Sequence, residues 1–584
     1  MRRESSLTSI RARPPVFEFI NTLTPLRLFN NVVRGNEAIN WGAIGSLAFE
    51  PFEDHVISAT YVFNVATDKT ATAATGGFSE NVGEGRELNS FSLIWNERLL
   101  EMLQFRGEHR LQDVLGMKLD WLVSIAQTSQ EEPDARYLNY VFDVASGRPQ
   151  FLNDYSPNRP VRYYRDLGED NLNFKVDDSV PFPLWRGLEG MAKAGYFFSE
   201  SLRNYNERTL DYETTDLGDG FFETGDPNLF LTQGNFTNLP PRAASSVPAN
   251  FAYDGESRIE AAYFMLDLPV WDRLRLIGGL RIEDTFIEVD TVNQNTGDVF
   301  APGLIDQRDY LPAVSMIYTI ITNLNLRASW AETIARPTFR EISPAVLEDV
   351  VTSERLQGNP NLKISNIENY DMRLEWFPRP GEVVSVGAFY KTIQNPIEKV
   401  YLTLDGQTIS YQNTDNPATV WGLEFEARRR LDFIDPLLEN FTVGFNYSYI
   451  VSEIARPPSE TANRPDVGSE RTLFDQSPYI VNADVTWEHP RWGTTATIAY
   501  NVSGPRLAVV GIIAADVIEQ PAPQLDIILS QKIGKHWRFR VTAKNILNPL
   551  NEQIYDTSDA LGNRFVYQSF RRGISIGCSL TYSY

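Results

Sequence analysis

The side chains able to do acid–base or metal chemistry are few in this chain, and they are poorly placed for it. Its 584 residues include four histidines, His55, His109, His489 and His536, all in or near short connections between segments of alternating hydropathy. A catalytic base must lie within hydrogen-bond reach of its nucleophile. A histidine-based site among the long connections is therefore excluded on inventory, which leaves only carboxylate pairs. The acidic run 211–226, DYETTDLGDGFFETGD, offers the oxygen ligands that calcium takes, but without the spacing of a known calcium loop. It is expected to be solvated surface with no metal. GEGREL, beginning at Gly83, lacks the Gly-Lys-Ser/Thr of a phosphate loop. A single cysteine, Cys578, permits no internal disulfide. The net charge of −23 makes nucleic acid a poor partner, because a phosphate backbone would be repelled. No catalytic residue, metal ligand or cofactor is expected.

What remains is charge at period two. Arg327, the triplet Asp371, Arg373 and Glu375, the triplet Glu424, Glu426 and Arg428, and Arg538, Arg540 and Lys544 all alternate with apolar residues. In a strand such alternation puts the charges on one face and the apolar residues on the other. A charge facing mid-bilayer costs about 2–4 kcal/mol for Arg or Lys. If these strands cross a membrane, the charged face must line a wet or protein-filled lumen. The mixed signs suit a docked plug better than an ion-selectivity ring.

The elements that position these charges are long strands. In 573–584 every even position from Ile574 is apolar and every odd one small or polar, and the chain stops on an aromatic. Eleven alternating residues match the 9–11 that a tilted strand needs to cross a bilayer. Similar segments recur near 41–49, 56–64, 88–110, 116–128, 172–181, 188–200, 258–268, 274–285, 310–321 and 324–332. Others follow near 367–377, 383–392, 420–430, 440–452, 479–488, 493–503, 523–533 and 537–547. That is about nineteen strands, and because a closed bacterial barrel needs an even number, 16–24 is expected to supply another.

Connections alternate in length. Going backward, 548–572 is long and 534–536 short, 504–522 long and 489–492 short, and so on to 201–257, the longest. Trp185, Trp271, Trp376, Trp487, Trp492 and Trp537 sit at the short connections, and Trp41, Trp330 and Trp421 at the other strand ends. Long loops on one side, short turns on the other and aromatic girdles between them describe a transmembrane β-barrel. The fold expected is all-β, a large antiparallel transmembrane barrel over 41–584, preceded by an N-terminal segment, 1–40, that can hold one more strand. No stretch approaches 18 apolar residues, so a helical membrane protein is excluded.

The segment 330–377, WAETIARPTFREISPAV…LQGNPNLKISNIENYDMRLEWF, resembles the C-terminal half of TonB-dependent outer-membrane receptors. Its most specific part is GNPNL at 358–362 followed by Glu368-Asn369-Tyr370-Asp371. VGAFYKTIQNPI (386–397), VWGLEFEARRRL (420–431), AKNILNP (543–549) and the aromatic end also look like that family. The resemblance implies a 22-stranded barrel in the bacterial outer membrane that takes up a large ligand, such as a siderophore, a glycan or a cobalamin. It also implies a plug domain and a TonB complex that pulls on it, with outer-membrane lipid around the barrel.

No plug-sized segment, energy-coupling box or secretory signal precedes Trp41. The plug is therefore expected to be absent or encoded upstream, and the chain to be the barrel part of a longer reading frame. Tyr401, Tyr411, Tyr555 and Phe570 are the ligand-binding candidates of the loops, with loop-on-loop packing as their other possible role. The alternatives are a passive porin or adhesin and, further off, an outer-membrane enzyme.

Overall fold

The alternating segments form the strands of one large antiparallel sheet. The computed structural model describes residues 2–583 other than 11–16, 21, 26, 79–85, 144–147, 151–160, 212–250, 350–353, 403–407, 465–466, 513–514 and 559–563. The sheet begins with Arg27–Phe52 (β1), His55–Phe78 (β2), Arg86–Leu111 (β3), Met117–Asp143 (β4) and Val161–Pro183 (β5). It continues through Glu189–Asp211 (β6), Phe251–Trp271 (β7), Leu274–Asn293 (β8), Gly303–Ile321 (β9) and Leu324–Ala335 (β10). Ser365–Trp376 (β11), Val383–Gln394 (β12), Ala418–Arg430 (β13), Phe441–Ala455 (β14) and Tyr479–His489 (β15) follow. The last four are Thr494–Ser503 (β16), Gln524–Ile533 (β17), Trp537–Lys544 (β18) and Ser575–Tyr582 (β19). Each strand pairs with the next in antiparallel register.

Register shows how the two faces are built. One row runs Asn325–Glu375–Ser385–Glu426–Asn446–Asn482–Asn501–Gln524 across eight strands, polar throughout. The row one residue away runs Leu326–Leu374–Val386–Phe425–Tyr447–Val481–Val502 and is apolar throughout. A one-residue slip in any strand would exchange the two faces, so the pattern fixes the register. Nearer the long connections the apolar face carries an aromatic row, Trp330–Tyr370–Tyr390–Trp421. At the short turns Trp537 packs on Tyr582 with ring centroids 4.9 Å apart, and Trp492 stacks on His489 at 4.2 Å. These are the two girdles that the tryptophan positions imply.

The short connections run from two residues, as between β9 and β10, to ten between β13 and β14. Gly534, at φ +62°, makes the three-residue turn between β17 and β18 feasible, since a side chain there would be strained.

Three features differ from the sequence reading. Strands β1 to β9 are 19–27 residues long, about twice what a bilayer requires. The excess lies on the long-connection side, where alternation fades because both faces meet water or protein. Trp41 accordingly lies within β1 rather than at its start. Residues 16–24 add no strand to the large sheet. Phe17–Ile20 pairs instead with Thr22–Pro25 as a separate two-stranded piece, and Arg2–Ile10 is the segment that pairs with β1. Pro25 closes that two-stranded piece, and proline cannot donate to a ladder. The acidic run beyond Asp211 and the start of GEGREL lie outside the described residues. Among the described residues no three His, Cys, Asp or Glu side chains are arranged to hold a metal.

Candidate functional site

The long connections build a second sheet at the loop side. Its strands run in the order Val346–Asp349, Glu354–Gln357, Thr408–Asn413, Ile397–Tyr401, Arg506–Gly511, Val517–Glu519, Asn551–Ser558 and Arg564–Phe570. Four different connections contribute; of the three pairings between connections two are parallel and one is antiparallel. Tyr401, Ile409, Val509, Val517, Tyr555 and Tyr567 form its core.

A buried ionic cluster ties the connections between β12 and β13, β14 and β15, and β16 and β17. Arg471 donates to both oxygens of Glu398, at 2.7 and 2.8 Å, and to both of Glu460, at 2.8 and 3.0 Å. Arg456 bridges Glu460 at 2.9 Å to Asp516 at 3.0 Å, and Arg464 reaches Asp516 at 3.1 Å. All six side chains are buried, so the attraction is little screened; burial alone would lower the Arg471 proton affinity, and Glu398 with Glu460 outweighs it and holds that guanidinium above its ordinary range.

The TFREI…GNPNL stretch is the hinge piece between this sheet and the large one. Thr338 and Glu341 form a reciprocal capping box on the one-turn helix Phe339–Ile342 (α1). Phe339 and Ile342 bury themselves with Tyr205, Tyr253, Ile287 and Val289. Arg340 donates to the carbonyls of Ala345, at 2.6 Å, and Leu356. The Asn359 amide reaches the Tyr411 carbonyl at 3.0 Å. At Gly358 a Cβ would stand 2.1 Å from the Ser343 oxygen and 2.7 Å from that of Arg340. Backbone cannot yield as a flexible side chain can. Gly358→Ala should therefore destabilise this region by about 1–3 kcal/mol, in the range of overpacking. A lowered urea midpoint followed through loop-specific proteolysis would register it, and an unchanged midpoint would contradict the packing described.

Between the loop sheet and the rising walls of β1–β7 lies a cavity of about 650 Å³. That is within the range of small-molecule sites. The walls supply Arg34, Tyr137, Arg165, Arg203, Tyr205 and Tyr253; the roof supplies Arg340 and Lys399. Tyr205 and Tyr253 stack with centroids 5.1 Å apart. Arg165 is held by Glu207 at 2.6 Å and Glu132 at 3.3 Å, and Arg203 by Glu169 at 2.5 Å. Burial alone would pull the Arg165 proton affinity down. Glu207, with Tyr205, Tyr137 and Glu132 adding to it, outweighs this and holds Arg165 well above its ordinary range. Burial, and then Glu207, pushes the Tyr205 hydroxyl up, so it stays a protonated donor, 2.9 Å from the Glu207 carboxylate.

The residues predicted from sequence divide into two groups. All ten charged residues lie on the polar face of the large sheet. Arg327 is 2.6 Å from Glu375, Arg373 is 3.5 Å from Glu375, and Arg373 also pairs with Glu426. Glu424 faces Arg373 across Gly387, Asp371 lies in the row of Ser329 and Phe389, and Arg428 sits opposite Gly444. Arg538 lies beside Thr581, Arg540 beside Ser579, and Lys544 beside Ser575. None of these ten reaches the cavity. Of the four aromatic candidates, Tyr401 and Tyr555 pack loop on loop within the second sheet. Phe570 rests on the cluster around Val32 and Tyr137, and half-buried Tyr411 meets Asn359 through its backbone. The aromatics that do reach the cavity, Tyr137, Tyr205 and Tyr253, went unmarked because they lie beyond the alternating stretches. The only available signal was Arg203, Tyr205 and Glu207 at period two.

A family model described as TonB dependent receptor-like, beta-barrel, matches residues 46–546. The chain belongs to the TonB-dependent receptors. It is therefore a protein of the bacterial outer membrane and a transport receptor rather than an enzyme. No curated protein matches it. Among solved structures it is similar to P. aeruginosa FpvA bound to heterologous pyoverdines, at 13% identity and a TM-score of 0.60 over 99% of this chain and 70% of that one. It is also similar to the ferric yersiniabactin uptake receptor FyuA from Yersinia pestis, at 10% identity and TM-score 0.55, covering 100% and 81%. The ferric citrate transporter FecA in its unliganded form gives 12%, 0.55, 99% and 78%. At these identities the likeness shows the shared receptor fold.

Proposed function

We propose that this TonB-dependent receptor takes up a large ligand actively, through a site at the loop-side cavity. The observation that carries the reading is the cavity itself, roofed by a second sheet that six buried ionic side chains hold together. A roof so fixed suits capture of a dilute ligand, because little ordering entropy is left to lose on binding.

In this reading the polar face lines the lumen. Arg327, Asp371, Arg373, Glu375, Glu424, Glu426, Arg428, Arg538, Arg540 and Lys544 are then the wall against which a plug domain docks, and TonB supplies the pull. The proton gradient then powers transport through TonB. Siderophore receptors among the structural neighbours make a metal chelate the first ligand class to try.

The test is uptake of radiolabelled ferric chelates by a receptor-deficient strain expressing this barrel together with a plug domain. Accumulation that a protonophore or loss of TonB abolishes is expected. Entry that persists unchanged under both would mean a passive pore.

A further inference from the structure

The loop-side cavity is cationic within a chain whose net charge is −23. Five cations line it, Arg34, Arg165, Arg203, Arg340 and Lys399, against the carboxylates of Glu132 and Asp166. Two of the five are already neutralised, because Glu207 and Glu132 hold Arg165 while Glu169 holds Arg203. Among the described residues the other three, Arg34, Arg340 and Lys399, form no ion pair. Arg340 spends its two terminal nitrogens on backbone carbonyls, and its Nε is buried with no partner.

A buried donor is costly to leave without an acceptor. The arrangement therefore makes best sense with a ligand present that brings acceptors. The three cations also come from separate elements: Arg34 from β1, Arg340 from α1 and Lys399 from the strand Ile397–Tyr401 in the roof. A ligand that satisfies them bridges wall to roof. Between them the stacked pair Tyr205 and Tyr253, with Leu347, Leu356 and Ile409, gives an apolar patch for the body of the ligand.

We infer that this cavity selects an anionic ligand, one carrying at least two separated carboxylate or phosphate groups around a compact body, over neutral ligands of the same size. The inference rests on the receptor reading above and narrows it. A neutral hydroxamate chelate, a neutral glycan or a cobalamin would leave three cations desolvated without counter-charge, whereas an anionic chelate pairs them. Arginine and lysine recognise such groups through charge-assisted hydrogen bonds about twice as strong as neutral ones. A cationic pocket in an anionic surface also concentrates field lines at its mouth, which speeds capture of anions and makes it salt-dependent.

The full chain, purified in detergent micelles, would be titrated by calorimetry with ferric citrate as the anionic probe. Inorganic pyrophosphate would serve as a second anion, and a charge-neutral ferric trihydroxamate of similar size as the comparator. Ferric citrate or pyrophosphate is expected to bind at least tenfold more tightly than the neutral chelate, and to weaken as salt is raised. Arg34→Gln with Lys399→Gln should lower anion affinity at least tenfold while leaving the neutral chelate unchanged. Among the described residues neither side chain has a hydrogen bond or ion pair, and an unchanged far-ultraviolet spectrum would show the fold intact. Binding of the neutral chelate as tightly as the anions, or an anion affinity indifferent to the double variant, would overturn the charge selection and leave the receptor reading standing. Binding of none of the three would overturn both.

Discussion

Arg471→Ala should cost the loop sheet about 3–5 kcal/mol, the penalty for leaving buried carboxylates without their counter-charge. Arg471 makes four hydrogen bonds to Glu398 and Glu460, and its side chain is 3% exposed. Its removal strands Glu398 outright, since Thr414 and the Phe474 amide are the only other donors to it among the described residues. Glu460 keeps Arg456. The damage should therefore concentrate on Ile397–Tyr401 and Thr408–Asn413, whose amides should exchange hydrogen far faster while those of β15 and β16 stay protected. Pairing the change with Glu398→Gln, as Arg471→Met/Glu398→Gln, removes the orphaned charge and should recover much of the protection. Unchanged exchange in Arg471→Ala, or a double variant no better than the single, would show that the cluster does not hold the roof.

Leu580→Arg should be the most damaging change in the last strand. Leu580 shares the apolar face with Phe539 and Tyr582 and is 60% exposed, so in the membrane it meets hydrocarbon. A charge there costs about 2–4 kcal/mol near the midplane. Its neighbour Ser579 points the other way, beside Arg540, so Ser579→Glu supplies a partner rather than a stranded charge. Assembly, followed by the heat-sensitive shift in gel mobility of folded barrels, should fail for the first and persist for the second. Equal assembly of both would mean that the two faces have been assigned wrongly.

Where alternation was strong the chain could be read directly. All nineteen strands that period two marks appear in the large sheet, because one face must match lipid and the other must not. Among the described residues that sheet has 22 strands, which also include Arg2–Ile10, Arg148–Gln150 and Glu470–Arg471. Residues such as Leu374 and Glu375, adjacent in β11, leave no freedom of register. Beyond the bilayer that constraint ends. The extensions of β1 to β9 bury polar residues such as Glu207, Thr285 and Thr291 on the same face as apolar ones such as Ile287 and Val289, so Tyr205 and Tyr253 were assigned to loop. The loop sheet was invisible for a different reason. Its strands are three to eight residues long, come from four connections, and the connections join one another only through contacts distant in sequence, such as Leu356 with Ile409 and Val400 with Val510. Tyr401 and Tyr555 looked like ligand aromatics because nothing local shows that Tyr401 pairs with Gly511 and Tyr555 with Val517.

Protease added to intact cells gives the most direct check on the receptor account, since a capture site must face outward. Cuts are expected within 201–257 and 548–572, at the loop side, while the turns at 489–492 and 534–536 remain intact until the outer membrane is breached. Cleavage at those turns from outside, with the long connections protected, would contradict the topology and with it the placement of the site.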